Sequence, residues 1–151
     1  MKTTKGNLIH LAKAAHFDVI VHGCNCFCAM GKGIALSIKR EFPDAYAADC
    51  ATKQGDPSKL GFFSQAVVSL SAGAVTVVNA YTQYDYRGEQ PNVNYEAIRL
   101  AFRAIKQAFP GARIGYPQIG AGLARGDWSV IAAIIDEELA GEDHTVVIYQ
   151  P

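Results

Sequence analysis

"VIVHGCNCFCAMGKGIALSIK", Val19 to Lys39, joins a β-branched run to a helical pattern through a junction that holds one His, three Cys at every second position and a Gly-Lys-Gly. A Val- and Ile-rich run suits a pleated, buried strand, whereas apolar residues at three- and four-residue spacing suit one face of a helix. The stretch is a strand feeding a helix, the repeating unit of α/β folds. Its junction admits three chemistries: a metal knuckle, a thiol active site, or a backbone cradle for phosphate.

The same alternation runs along the chain. "DVIVHG" (Asp18 to Gly23), "FFSQAVVSL" (Phe62 to Leu70), "AVTVVNAYTQ" (Ala74 to Gln83), "ARIGYPQIG" (Ala112 to Gly120) and "HTVVIYQ" (His144 to Gln150) are short, β-rich and bounded by Gly, Pro or Ser, and they read as strands. Between them "GIALSIKREF", "DAYAADCATKQ", "NVNYEAIRLAFRAIKQAF" and "DWSVIAAIIDEEL" carry helical spacing, as in Tyr95, Ile98, Phe102, Ile105 and Phe109. Pro43 separates the first two helices, and Gly111 and Gly141 follow the last two. Strands alternating with helices predict a three-layer α/β/α sandwich. The pair around "LSAGAV" predicts a hairpin, so the central sheet should be mixed. The polar loop "YDYRGEQPNV" (Tyr84 to Val93) is expected to be a mobile flap.

With 151 residues, half of them hydrophobic, the chain suffices for one well-buried core, and a single domain over residues 1–151 is expected. Fourteen basic residues balance fourteen acidic ones, so no overall field draws in polyanions and no sequence-specific nucleic-acid binding is expected. Phosphate recognition, if any, must be local. No signal-peptide core and no membrane-length apolar run is present, which predicts a soluble, cytoplasmic protein, taken as a monomer with no membrane partner. Three of the four cysteines lie too close together to brace a disulfide framework, so reduced thiols are expected.

A zinc site wants paired ligands at separations such as C-x-x-C with a second pair elsewhere. Cys24, Cys26 and Cys28 alternate instead, and no matching pair follows, so no metal is expected. Small cysteines at strand ends are usually inert packing, and Cys26 and Cys28 read as such. "AMGKGIA" has another logic. Gly31 and Gly33 let the backbone approach a ligand closely, and the helix that follows offers unpaired N–H groups and the positive end of its dipole. It is neither a Walker A loop, which needs Ser or Thr where Gly33 stands, nor a G-x-G-x-x-G fingerprint, whose third Gly is missing. A second Gly-rich loop, "PQIGAGLARGDW", also follows a strand and precedes a helix. Two such loops at the carboxyl ends of parallel strands can grip one diphosphate from both sides.

Taken in order, "KGNLI", "VHGCN", "MGKGIA", "VNAYTQ", "YPQIGAGLARGDW" and "VVIYQ" resemble the motifs of the macrodomain family, and the likeness covers nearly the whole chain. The resemblance implies an ADP-ribose-binding α/β fold that needs neither cofactor nor metal, with ADP-ribose, ADP-ribose 1''-phosphate or ADP-ribosylated macromolecules as partners. It sets the adenine near Gly6, Asn7 and Leu8, with Asn7 where many relatives carry Asp. It gives Asn25 the task of orienting the distal ribose. Met30, Gly31, Lys32, Gly33, Ile34 and Ala35 match the first loop around the diphosphate, and Gln118, Ile119, Gly120, Ala121, Gly122 and Leu123 match the second. Tyr81, with Tyr84 and Tyr86, is a candidate to line the ribose or adenine side.

The resemblance also sorts the chemistry. One hydrolase branch carries an Asp at the position of Ala35; another uses a Lys and an Asp at the positions of Gln83 and Ala124. Neither set is present, which disfavours glycohydrolysis of a Lys-type adduct. His22 beside Asn25 resembles the phosphatase-like branch, and a His near neutral pKa can move the protons that hydrolysis of a phosphomonoester requires. The expected activity is therefore ADP-ribose 1''-phosphate phosphatase, with His22 in proton transfer, Asn25 positioning ribose or water, and Asp127 as a further catalytic candidate. A non-catalytic ADP-ribose reader and an ADP-ribosyl glycohydrolase are the alternatives. The simplest reading of Asp127 is a helix N-cap ahead of "WSVIAAII".

Overall fold

The computed structural model describes residues 1–89 and 91–151; Gln90, inside the loop expected to be a flap, lies outside the described residues. In chain order the elements are β1 (Lys2–Gly6), α1 (Leu8–Lys13), β2 (Val19–Cys24), α2 (Gly33–Glu41), α3 (Pro43–Cys50), a 3-10 turn (Pro57–Lys59), β3 (Phe63–Leu70), β4 (Gly73–Tyr81), α4 (Tyr95–Ala108), β5 (Arg113–Tyr116), α5 (Trp128–Glu138) and β6 (Asp143–Tyr149). The strands form one sheet in the order β1-β6-β5-β2-β4-β3. Every neighbouring pair is parallel except β3 and β4, whose hairpin closes tightly with Leu70 opposite Gly73. This is the mixed-sheet sandwich that the alternation predicted.

The period of two in the strands decides which side chains meet which helices. Along β2, Val19 and Val21 face one layer while Ile20 faces the other; along β4, Val78 and Ala80 part in the same way from Val75 and Val77. One layer is α4 and α5, whose Ile98, Phe102, Ile105, Ile131 and Ile135 are fully buried. The opposite layer is α1, α2 and α3, packed through Leu8, Ile9, Ala12, Ile38, Phe42 and Ala45. A buried Ile stabilises the fold by about 2 kcal/mol relative to an exposed one, so each layer is held by many such contacts. Close packing also dictates Gly115 on β5, because a Cβ there would sit 2.6 Å from the Phe17 ring.

Besides the 3-10 turn, two elements lie beyond the sequence expectation. β1 has the sequence KTTKG and is an exposed edge strand, so it shows none of the apolar alternation by which the other strands are recognised. Only its parallel pairing with β6 defines it. α1 has just six residues and starts at Asn7, whose Oδ1 accepts the backbone N–H groups of Ile9 and His10. At the other boundaries Phe42 ends α2, Pro43 opens α3, and Gly111 and Gly141 take left-handed angles after α4 and α5. No described helix is long and apolar enough to cross a membrane.

Adjacent strands β2 and β5 send their following helices to opposite faces of the sheet: α2 joins the α1–α3 layer and α5 the α4 layer. Such a reversal opens a crevice at the carboxyl ends of the strands, where ligands gather in α/β sheets. Both Gly-rich loops leave from these two strand ends.

Candidate functional site

A cavity of about 950 Å³ fills that crevice. Its walls come from the turn after β2 (Asn25, Cys28, Met30), the lead into α2 and its first turn (Gly31 to Ala35), the loop after β5 (Gln118, Ile119, Gly120, Gly122, Leu123) and the polar loop after β4 (Gln83, Tyr86, Arg87, Asn92). A second cavity of about 420 Å³, lined by Asn7, Leu8, Ile9, Ser37 and Tyr149, shares Gly33, Ile34 and Pro117 with the first. The two form one groove across the sheet's carboxyl edge. It brings together Asn7, Leu8, Asn25, all six residues from Met30 to Ala35, and Gln118, Ile119, Gly120, Gly122 and Leu123. Gly6, His22, Tyr81, Ala121 and Asp127 line neither cavity.

The glycines divide by what surrounds them. A Cβ on Gly120 would lie 2.8 Å from Val93, and one on Gly126 would lie 2.6 Å from the Gly120 carbonyl, so protein packing forbids side chains at both. Gly31 and Gly122 have nothing within 4 Å of a built Cβ and lack left-handed angles, so nothing in the protein itself requires glycine there. Both line the cavity. Gly33 has φ of +59° at the first turn of α2, an angle that disfavours a Cβ. Two non-glycine residues in the cavity wall, Cys28 and Arg125, also hold left-handed angles, a strain of order 1–3 kcal/mol each that concentrates at ligand-handling loops.

Asn25 is built into its own turn. Its Nδ2 donates to the Ala29 carbonyl at 2.8 Å and its Oδ1 accepts from the N–H groups of Phe27 and Ala29. One amide hydrogen remains for a ligand. The chain turns after Cys24, so the three cysteines do not line up along an extended strand. Cys24 lies beside His22, Cys26 donates to the Gln83 carbonyl at 3.6 Å, and Cys28 donates to the Asp49 carbonyl at 3.3 Å. Among the described residues no three His, Cys, Asp or Glu side chains are grouped to hold a metal.

His22 has no exposed surface. Asn79 donates its amide hydrogens to Ala45 and Ser64, which leaves its Oδ1 to accept from His22 Nε2 at 2.7 Å. Burial pushes the His22 pKa down to about 4, against a smaller upward push from that hydrogen bond, so the ring is neutral at pH 7. Asp127 is the N-cap of α5: its Oδ1 accepts from the Ser129 backbone N–H and hydroxyl, and these bonds hold the carboxyl below its ordinary pKa. Tyr81 is buried, donating to Asp49 Oδ1 at 2.7 Å.

Several wall residues escaped the sequence reading. Lys39 and Tyr46 come from the helices beside the first loop, Arg87 from the polar loop and Arg125 from the loop after β5. That polar loop is braced: Gln83 bridges Val93, Asn92 donates to the Asp85 and Arg87 carbonyls, and Arg87 pairs with Asp85 and lies over Phe27. Tyr149, 72% exposed at the end of β6, offers a flat apolar face at the mouth of the smaller cavity. In the sequence only an aromatic closing the last β-branched run, "VVIYQ", marks it. Ala35, Gln83 and Ala124, the three positions where hydrolase branches of the resembled family carry Asp or Lys, all line the larger cavity.

A parallel-centred sandwich with a Gly-lined groove at its topological switch point is the arrangement in which open α/β sheets place their ligand sites. A macro domain family model matches residues 21–135, and this chain belongs to that family. It is 31% identical to an uncharacterized 17.5 kDa protein of Enterobacteria phage T4, with 100% of this chain and 97% of the phage protein covered. A DNA ADP-ribosyl glycohydrolase of Mycobacterium tuberculosis is 27% identical over 91% of this chain, which spans 39% of that protein's length. In structure, the macrodomain of Mycobacterium tuberculosis DarG superposes with a TM-score of 0.76 at 21% identity, covering 99% of this chain and 97% of that one.

Proposed function

We propose that this chain is one macrodomain over residues 1–151 that binds ADP-ribose along the groove and hydrolyses ADP-ribose derivatives, converting ADP-ribose 1''-phosphate to ADP-ribose and phosphate. The charge of the lining carries this reading. Lys32, Lys39, Arg87 and Arg125 border the larger cavity, and among the described residues no Asp, Glu or His does. In a chain of zero net charge, four cations around one cavity, of which only Arg87 is paired with a carboxylate among the described residues, favour a ligand with more negative charge than a diphosphate alone.

In this reading adenine lies in the smaller cavity against Tyr149, the diphosphate meets the N–H groups at the start of α2, and Asn25 turns its free amide hydrogen to the distal ribose. Rate enhancement comes from positioning and from cations placed where phosphoryl charge develops. His22, enclosed and neutral, serves this site from below by tying β2 to Asn79 rather than by meeting the substrate. Asp127 fixes the start of α5.

The same lining favours a second reading, a non-catalytic ADP-ribose reader, since among the described residues no Asp, Glu or His borders the cavity. The mycobacterial relative makes ADP-ribosylated DNA a further substrate to try. One experiment separates these outcomes: calorimetry with ADP-ribose, then incubation with ADP-ribose 1''-phosphate, ADP-ribosylated DNA and ADP-ribosylated protein, following phosphate and ADP-ribose release separately. Phosphate release is expected. Binding without turnover leaves a reader, ADP-ribose release alone makes a glycohydrolase, and no binding at millimolar ligand removes the ADP-ribose reading.

A further inference from the structure

The cavity continues past the helix terminus that would receive the diphosphate. Ala35 and Lys39 stand four residues apart on α2 and so share one face, and both line the cavity. Lys39 is six residues beyond Gly33, about 9 Å along the axis at the helical rise, and helical side chains lean back toward the N-terminus. Lys39 therefore borders the larger cavity, the part of the groove that the ADP-ribose reading gives to the distal ribose.

The four cations of the cavity differ in their commitments. Arg87 is paired with Asp85, Arg125 donates to the Glu89 carbonyl, and Lys32 sits exposed at the N-cap of α2. Lys39 is half-buried and has no carboxylate partner among the described residues. Instead its Nζ lies 4.2 Å from the centre of the Tyr46 ring, within cation–π range. Tyr46 and Cys28 complete this end of the wall. A cation held over a ring, without a counter-ion, is a ready receptor for an anion.

We propose that Lys39, seated on Tyr46, is the specificity-determining residue for an anionic substituent on the distal ribose, a phosphate monoester at its anomeric carbon. The inference rests on the ADP-ribose reading above and adds the subsite that separates ADP-ribose from its phosphorylated form.

The test compares affinities for ADP-ribose and ADP-ribose 1''-phosphate, read by competition before appreciable turnover, in wild type, Lys39→Met, Lys39→Arg and Tyr46→Leu, with thermal melts on each. Wild type should prefer the phosphorylated ligand by at least about tenfold, the scale of one charge-assisted contact. Lys39→Met should erase that preference while shifting ADP-ribose affinity less than about threefold, Lys39→Arg should restore most of it, and Tyr46→Leu should weaken it. A retained preference in folded Lys39→Met, or an equal loss for both ligands, overturns the assignment. Wild type that binds ADP-ribose without preference sinks this inference alone; wild type that binds neither ligand sinks the ADP-ribose reading with it.

Discussion

At the scale of single residues, burial outweighs chemical type. An imidazole beside a strand end is a reasonable proton carrier until its ring is enclosed and its Nε2 committed to Asn79. The depressed pKa then becomes a stability effect. Unfolded His22 takes up a proton near pH 6.5 and folded His22 only near 4, so the unfolded state binds more protons between these values. Its contribution is intact above about pH 6.5 and is lost as pH falls through that window, on the order of 3 kcal/mol by pH 4. His144, also lowered chiefly by burial, adds in the same direction. Thermal melts from pH 7 to 4 should show this loss, and His22→Gln should flatten the slope; an unchanged slope in a folded variant would assign the acid sensitivity to other groups. Asn25→Ala should lower stability by about 1–3 kcal/mol, because the N–H groups of Phe27 and Ala29 lose their acceptor. It should also weaken ADP-ribose binding, which melts and calorimetry on one preparation would read together.

At the scale of elements, the two Gly-rich loops look alike in sequence and differ in what their glycines permit. Gly122→Val should fold normally and lose most ADP-ribose affinity, since the new side chain enters only the cavity. Gly126→Ala should do the reverse of a clean binding variant, lowering the melting temperature through collision with the Gly120 carbonyl, Val93 and Ile131. The expected loss is about 1–3 kcal/mol. Unaltered affinity in folded Gly122→Val would move the ligand away from this loop. β1 shows a different kind of dependence: polar and exposed, it is set by its ladder to β6, and the exposed pair of Lys2 with Asp143 at 2.6 Å adds little.

At the scale of the whole molecule, zero net charge hides an uneven distribution. Arg99 and Arg103 are paired with Glu137 and Glu138 on the helical flank, and Arg113 with Asp18, while the cavity wall gathers cations and, among the described residues, no carboxylates. ADP-ribose affinity should therefore fall roughly threefold to tenfold between low salt and 0.5 M salt, because screening over a Debye length of several ångströms weakens exposed cations. Titrations across that range test this; a flat profile would mean that binding is carried by backbone N–H groups alone. A chelator should leave both the melting temperature and activity unchanged, and stoichiometric zinc in protein purified without added metal would contradict that.

The alternation of β-branched runs with helical spacing, the hairpin around Gly73, the breaks at Pro43, Gly111 and Gly141, and the two Gly-rich loops at strand ends were legible in the sequence. Each is a local property: side-chain period and backbone freedom are written within a few residues of one another. Asp127 belongs with them, because an N-cap bonds only to its own first turn. Tertiary structure alone decided that His22 is sealed between β2 and its neighbours, that Gly126 is a packing glycine and Gly122 an open one, and that Lys39, Arg87 and Arg125 face one cavity with Tyr46 beneath Lys39. Burial and convergence depend on segments far apart along the chain, and no local period records which of them will meet.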